Sequence, residues 1–187
     1  LYLLMRGGGV LAVLLAASIA SGALYTAGPK PLGYLGLGDL FVFIFFGPVA
    51  VAGTYYVQAL RFSEAAAVAG FAPGLLSVAI LVVNNLRDRE GDARNGKKTL
   101  AVRFGPTFAR VQYTACLIGA SLVPLLLMRY YGAPPNILTA GLVFVAGLSA
   151  LRTIWSTEDG FRLNALLAQT ARLLLLFAGL FAVGYVL

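Results

Sequence analysis

Histidine is absent from the chain, and cysteine occurs once, at Cys116. A disulfide framework is therefore excluded. So are a histidine triad, a histidine metal site and a histidine pH switch. Charge is also scarce. Only 11% of the 187 residues are Asp, Glu, Lys or Arg, against about 25% in a soluble domain. Acids are the scarcer sign, seven against fourteen basic residues. What fills the chain instead is apolar. The apolar fraction is 60%, with 22 glycines, and the mean hydropathy is +0.88. That is a membrane composition, in which glycine is better tolerated than in soluble helices.

A spanning helix needs about 20 mostly apolar residues. Six stretches qualify: Gly9 to Ala27, Gly38 to Tyr56, Ala65 to Leu86, Pro106 to Met128, Asn136 to Leu151 and Ala165 to Leu187. The expected fold is all-α, a polytopic membrane bundle of about six helices with short spacers. A β-barrel would show short alternating segments instead. No repeat or linker marks a second domain, so residues 1–187 read as a single transmembrane domain. The apolar start, Leu1 to Met5, runs into Arg6 and Gly7-Gly8-Gly9. It reads as the tail of an earlier apolar segment, which makes the chain a C-terminal fragment of a longer protein.

Six spans divide the loops between two sides. One side carries Lys30, Arg87, Arg89, Arg94, Lys97, Lys98, Arg103, Arg152 and Arg162; the other carries only Arg6, Arg61 and Arg129. The positive-inside rule makes the first side cytoplasmic. The asymmetry accounts for the net charge of +7 with no nucleic acid as partner. Almost all the polar residues capable of chemistry lie on that side.

The densest of these stretches is Asn84-Asn85-Leu86-Arg87-Asp88-Arg89-Glu90-Gly91-Asp92. If the helix continues through it, Asn84, Asp88 and Asp92 fall on one face at i, i+4 and i+8. Two carboxylates one turn apart, with a carboxamide below, are hard oxygen donors. Mg²⁺ takes such donors and shares its shell with substrate phosphates. Lys97, Lys98 and Arg103 follow within a few residues, so a diphosphate cradle is one reading. A solvated, topology-fixing loop that touches anionic lipid is the other.

Further candidates are scattered. Asp39, in Gly36-Leu37-Gly38-Asp39, is placed to cap the second span or to bind substrate. Tyr25 is an interface anchor or a site residue, beside Lys30 in the Gly/Pro-rich loop. Arg172 sits inside the last span, about 10 Å past Ala165 at 1.5 Å per residue. There it either snorkels or serves a site. Cys116 reads as a small buried apolar residue. Gly70 and Gly74 are spaced for close helix contact, with Pro73 placed to kink the third span.

The stretch Asn84 through Gly105, NNLRDREGDARNGKKTLAVRFG, resembles the second aspartate-rich motif of the UbiA superfamily of intramembrane prenyltransferases. The stretch Tyr25 to Gly47, YTAGPKPLGYLGLGDLFVFIFFG, is similar to the branch that prenylates 1,4-dihydroxy-2-naphthoate in menaquinone synthesis, as is the segment Leu163 to Ala171. The resemblance implies nine helices around a central cavity, of which the six spans here would be the last. It implies two aspartate-rich motifs that bind a polyprenyl diphosphate through Mg²⁺, the first lying before Leu1. Asp88 and Asp92 would then be metal ligands and Asn84 and Asn85 their support. Arg87, Lys97, Arg103, Tyr25, Lys30, Asp39 and Arg172 would be substrate-binding candidates. Many superfamily members pair a tyrosine and a lysine as Tyr-x-x-x-Lys; here Tyr25 and Lys30 are one residue further apart. The rival readings are the same fold with another aromatic acceptor, such as 4-hydroxybenzoate or homogentisate, an ion transporter fragment, and a helical subunit that docks a partner. Transporter sites lie near the bilayer midplane, whereas these carboxylates sit at a membrane end.

Overall fold

The computed structural model describes residues 2–26 and 31–187, with only the backbone described at residues 25 and 26. Every regular element among the described residues is helical. The order is α1 (Tyr2–Thr26), a 3-10 turn (Leu32–Leu35), α2 (Gly38–Phe46), α3 (Pro48–Ala59), α4 (Glu64–Ala69), α5 (Phe71–Arg87) and α6 (Arg89–Arg94). Then come α7 (Leu100–Tyr131), a 3-10 segment (Pro135–Leu142), α8 (Val143–Ala146), α9 (Leu148–Ser156) and α10 (Gly160–Val186). Six segments are long and apolar enough to cross a membrane: Tyr2–Leu24, Gly38–Ala59, Glu64–Arg87, Leu100–Tyr131, Pro135–Ser156 and Gly160–Val186. This is an integral membrane protein built as a helical bundle.

Glycine decides where these spans bend. The second span breaks at Gly47 and the third at Gly70, and the two breaks meet. A Cβ on Gly47 would lie 2.5 Å from the Phe43 carbonyl oxygen and 2.7 Å from that of Gly70. Backbone touches backbone there, and Gly74 closes the crossing against Phe43. Pro73 is not the origin of the bend. It falls in the first turn of α5, where a missing N–H costs little. In α7 the kink is at Gly105, whose φ of 84° only glycine adopts freely. Pro106 follows, so a short helical lead-in turns into the span that the sequence marks from residue 106.

The core centres on α5, which packs against α7, α10 and α2. Ala72, Leu76, Ala79 and Val83 of α5 are buried against Tyr113, Leu117 and Ala120 of α7 and Leu163 and Leu166 of α10. The Tyr113 hydroxyl is satisfied at 2.9 Å by Thr170 Oγ1, as a buried polar group requires. Cys116 is buried, as its apolar surroundings predict. On the other side of the bundle Arg6 donates to the Val57 and Gln58 carbonyls, tying the start of α1 to the end of α3.

Residues 2–7 are helical but set apart from the rest of α1 at Gly8, whose backbone (φ 58°, ψ −150°) is not helical. Two boundaries differ from expectation. The fifth span is composite and runs five residues further, to Ser156. The sixth begins five residues earlier, at Gly160, because Asp159 caps it by accepting from the Phe161 and Arg162 N–H groups.

Candidate functional site

The loops that the charge pattern groups together do meet at one end of the bundle. The Lys98 N–H donates to the Tyr34 carbonyl. Arg103 donates to the Lys98 and Leu35 carbonyls at 3.0 and 2.8 Å. Arg110 donates to the Ile154 and Thr157 carbonyls and to Glu158. Residues 31–37, 88–99 and 157–159 are thereby strapped to one surface.

On that surface lies the carboxylate stretch. The helical hydrogen bonding of α5 runs on through Asp88: the Asp88 N–H reaches the Asn84 carbonyl at 3.0 Å, and the Asp92 N–H reaches the Asp88 carbonyl at 2.8 Å. These two bonds link Asn84, Asp88 and Asp92 across the break at Asp88 (φ −91°, ψ 3°), where α5 ends and α6 begins. Gly96 then takes a left-handed conformation (φ 72°). This lets the Lys97 N–H return to the Asp92 carbonyl, and it brings Lys97 Nζ to 3.0 Å from Asp92 Oδ2.

Arg87 is the hub of the cluster. Its Nε and Nη2 bind the two Asp88 oxygens at 2.7 Å each, while Nη2 also reaches Asn84 Oδ1 at 2.8 Å. Its Nη1 donates to Asn164 Oδ1 at 2.5 Å, across to α10. The hydrogen bonds from Arg87 hold the Asp88 carboxyl below the usual carboxylate range; partial burial opposes this, and the charges of Arg87 and Lys97 add to it. Beside this cluster opens a polar cavity of about 540 Å³, lined by Arg87, Asp88, Arg89, Asp92, Arg94 and Glu158 among others.

A metal ion can be tested against these donors. Among the described residues no three acidic, histidine or cysteine side chains gather tightly enough to hold one. A protein-only cage is therefore not formed. Two carboxylates with a carboxamide fit the usual mode of Mg²⁺, in which one or two carboxylates share the ion with water and substrate phosphate. Asp92 has one oxygen outside its ion pair with Lys97. Asp88 is 40% exposed, within reach of an ion that competes with Arg87.

The remaining sequence candidates separate. Asn85 is buried on α5, and its carboxamide makes no hydrogen bond among the described residues. Arg103 is exposed and makes no ion pair with the carboxylates; its Nε and Nη2 bind the two loop carbonyls. Asp39 is not the N-cap of α2, which is Leu37. It is buried in the first turn of α2 and accepts from Gln112 Nε2 of α7 at 3.0 Å. Arg172 is exposed on α10, away from the loop cluster. Lys30 and the Tyr25 side chain lie outside the described residues.

Sequence reading missed Arg110, Gln112, Glu158 and Asn164. Arg110 carried a signal, since a charge within an apolar stretch is a site hypothesis by default. Asn164 stood in a quoted segment without a role. Gln112 had no signal. Elsewhere, an apolar groove of about 710 Å³ runs between α1 and α2, lined by Ser18, Phe41, Val42 and Phe45 among others.

The sequence pattern of the UbiA prenyltransferase family matches residues 1–168. A 1,4-dihydroxy-2-naphthoate octaprenyltransferase of Mycobacterium tuberculosis is 42% identical over 160 residues, which is 86% of this chain and 54% of the relative. Its Escherichia coli namesake is 38% identical over 170 residues, covering 89% and 54%. The human UbiA prenyltransferase domain-containing protein 1 is 32% identical over 180 residues, covering 95% and 50%. The chain spans about half the length of the curated relatives it matches. With the family pattern covering most of its length, the chain belongs to the UbiA prenyltransferase family.

Proposed function

We propose that the protein of which this chain is part moves a polyprenyl group from its diphosphate to 1,4-dihydroxy-2-naphthoate, releasing diphosphate and CO₂, in menaquinone synthesis. The observation that carries this reading is the placement of paired carboxylates and cations at one end of an apolar bundle. An amphiphile with a charged diphosphate head and a long isoprenoid tail has matching chemistry. The names of the relatives support the acceptor.

In this reading Asp88 and Asp92 hold Mg²⁺, with Asn84 and Asn85 as support. When bound, that ion neutralises charge on the diphosphate. Lys97 and Arg87, which pair with Asp92 and Asp88 here, would turn to the departing oxygens once the ion takes those carboxylates, where charge grows in the transition state. The allylic C–O bond breaks, and its electron pair leaves with diphosphate. The electron-rich ring then forms the new C–C bond to the cation-like prenyl carbon and loses its carboxylate as CO₂. Apolar walls keep water from that carbon. The groove along Phe41 and Phe45 is apolar enough for the tail. The strapped loops face the cytoplasm by their excess of basic residues.

The test uses membranes containing the full-length parent, a polyprenyl diphosphate, Mg²⁺ and 1,4-dihydroxy-2-naphthoate, with 4-hydroxybenzoate in parallel. A prenylated naphthohydroquinone, collected as the quinone after oxidation in air and absent with EDTA, is the expected result. Product from 4-hydroxybenzoate alone overturns the acceptor assignment and keeps the chemistry. Product from neither overturns both. A normal rate in the Asp88→Asn, Asp92→Asn double variant overturns the site.

A further inference from the structure

Arg172 has no role in the loop cluster, and its position is the least expected in the molecule. With α10 beginning at Gly160, Arg172 lies about 18 Å along the helix from that end and about 21 Å from Val186, at 1.5 Å per residue. It is thus near the middle of a span whose hydrocarbon surroundings are about 30 Å thick, roughly 15 Å from either interface. That is beyond the reach of a snorkelling side chain. It is exposed, and it makes no hydrogen bond or ion pair among the described residues. By contrast Arg110, the other arginine well inside a span, is tied to two carbonyls and Glu158. A guanidinium at midspan does not face lipid without a large penalty, so this face of α10 meets something anionic.

The same face leads to the site. Asn164, Ala168 and Arg172 follow at i, i+4 and i+8, all three exposed, and so form one stripe. At its upper end Asn164 holds Arg87, which holds Asp88. Arg172 lies about 12 Å deeper along the helix axis. Long helical side chains lean toward the N-terminal end, which here is the end bearing the carboxylates. The small side chain of Ala168 leaves the interval open.

We propose that Arg172 binds the carboxylate of the aromatic acceptor and so selects a ring acid over an uncharged phenol. The inference rests on the acceptor reading above. The diphosphate charge is taken up at the membrane end by the Asp88–Asp92 loop and its cations. The ring must reach the allylic carbon, and that carbon hangs below the diphosphate, toward the apolar interior. A hydroxynaphthoate carries one full negative charge, on its carboxylate. A planar guanidinium is its natural partner, through two parallel hydrogen bonds.

The test is a binding experiment that needs no turnover. Full-length parent, Arg172→Gln and Arg172→Lys are titrated in nanodiscs with 1-hydroxy-2-naphthoate and with 1-naphthol, and with a prenyl diphosphate as a check on folding. The parent binds the acid about 10- to 100-fold more tightly than the phenol, the range for a charge-assisted contact. Arg172→Gln abolishes that preference and leaves 1-naphthol and prenyl diphosphate affinities unchanged, while Arg172→Lys keeps part of it. A parent with no preference, or an Arg172→Gln variant that retains it, overturns the proposal. Equal loss of both probes with prenyl diphosphate binding intact also overturns it, and assigns Arg172 to an acid elsewhere in the longer protein. Should Arg172→Gln fail to fold, an undiminished preference in Arg172→Lys overturns it and a reduced one supports it. Failure of the acceptor reading shows separately, as parent membranes that prenylate no hydroxynaphthoate.

Discussion

Removing the Asn164 carboxamide tests whether the last helix helps to hold the carboxylate site. Arg87 makes four hydrogen bonds: two to Asp88, one to Asn84 and one to Asn164. Asn164→Ala deletes only the fourth, and with it the side-chain link between the carboxylate stretch and α10. A hydrogen bond to a charged group contributes about 1.5–3 kcal/mol when fully protected. Asn164 is exposed, so water takes over part of the bond and the expected loss is about 1 kcal/mol. If the donor binds at this cluster, that is roughly a fivefold rise in the KM for prenyl diphosphate. The expected fall in melting temperature is about 2–4 °C. Turnover at saturation is unchanged, because Asn164 touches Arg87 and not the reacting atoms. Asn164→Asp, which keeps an acceptor for Arg87, recovers most of the thermal loss. The assay is the steady-state rate of the full-length parent at several donor concentrations, with thermal unfolding in the same detergent. An unchanged KM together with an unchanged melting temperature refutes the linkage. A loss of turnover beyond about a hundredfold refutes the positioning role and makes Asn164 a direct substrate contact.

Three further outcomes are expected. Gly47→Ala places a methyl group against the Phe43 and Gly70 carbonyl oxygens. This lowers stability by at least about 2 kcal/mol, visible as a reduced yield of folded protein and a lower melting temperature. Tyr113→Phe removes the buried bond to Thr170, whose hydroxyl keeps the Leu166 carbonyl as partner. The cost is about 1 kcal/mol with activity retained, so a large loss of activity at full stability contradicts a purely structural role. The lowered pKa of Asp88 means that its ionised form is already complete above the ordinary carboxylate range. Its contribution is lost only as the pH falls below about 4. Asp88 therefore adds no pH dependence to the melting temperature between pH 8 and about pH 5, and a loss of stability centred near pH 6 that Asp88→Asn removes would contradict the Arg87–Asp88 pairing.

Much of the protein is legible without coordinates, because the signals are local. Hydropathy over about 20 residues marks each span, and the charge count separates the two loop sets. Periodicity sets Asn84, Asp88 and Asp92 one turn apart. Asp159 as a cap was equally local, and reading it would have set the start of α10 and the true depth of Arg172. Other features could not be read along the chain. Arg87 meets Asn164 across 77 residues and Gln112 meets Asp39 across 73. Arg103 reads as a phosphate ligand by proximity in sequence, and only the fold shows that its Nε and Nη2 also strap carbonyls 5 and 68 residues away.

The sequence by itself determined that the chain lives in a membrane, how many times it can cross, and that its charged loops gather at one end. Those properties follow from transfer free energy and helical spacing, which act over a turn or a span. The tertiary structure alone decided which cation answers which carboxylate, which candidate becomes a strap, and that the breaks at Gly47 and Gly70 lie against one another. These depend on how distant helices pack, and packing is settled by the shapes of residues far apart in the chain.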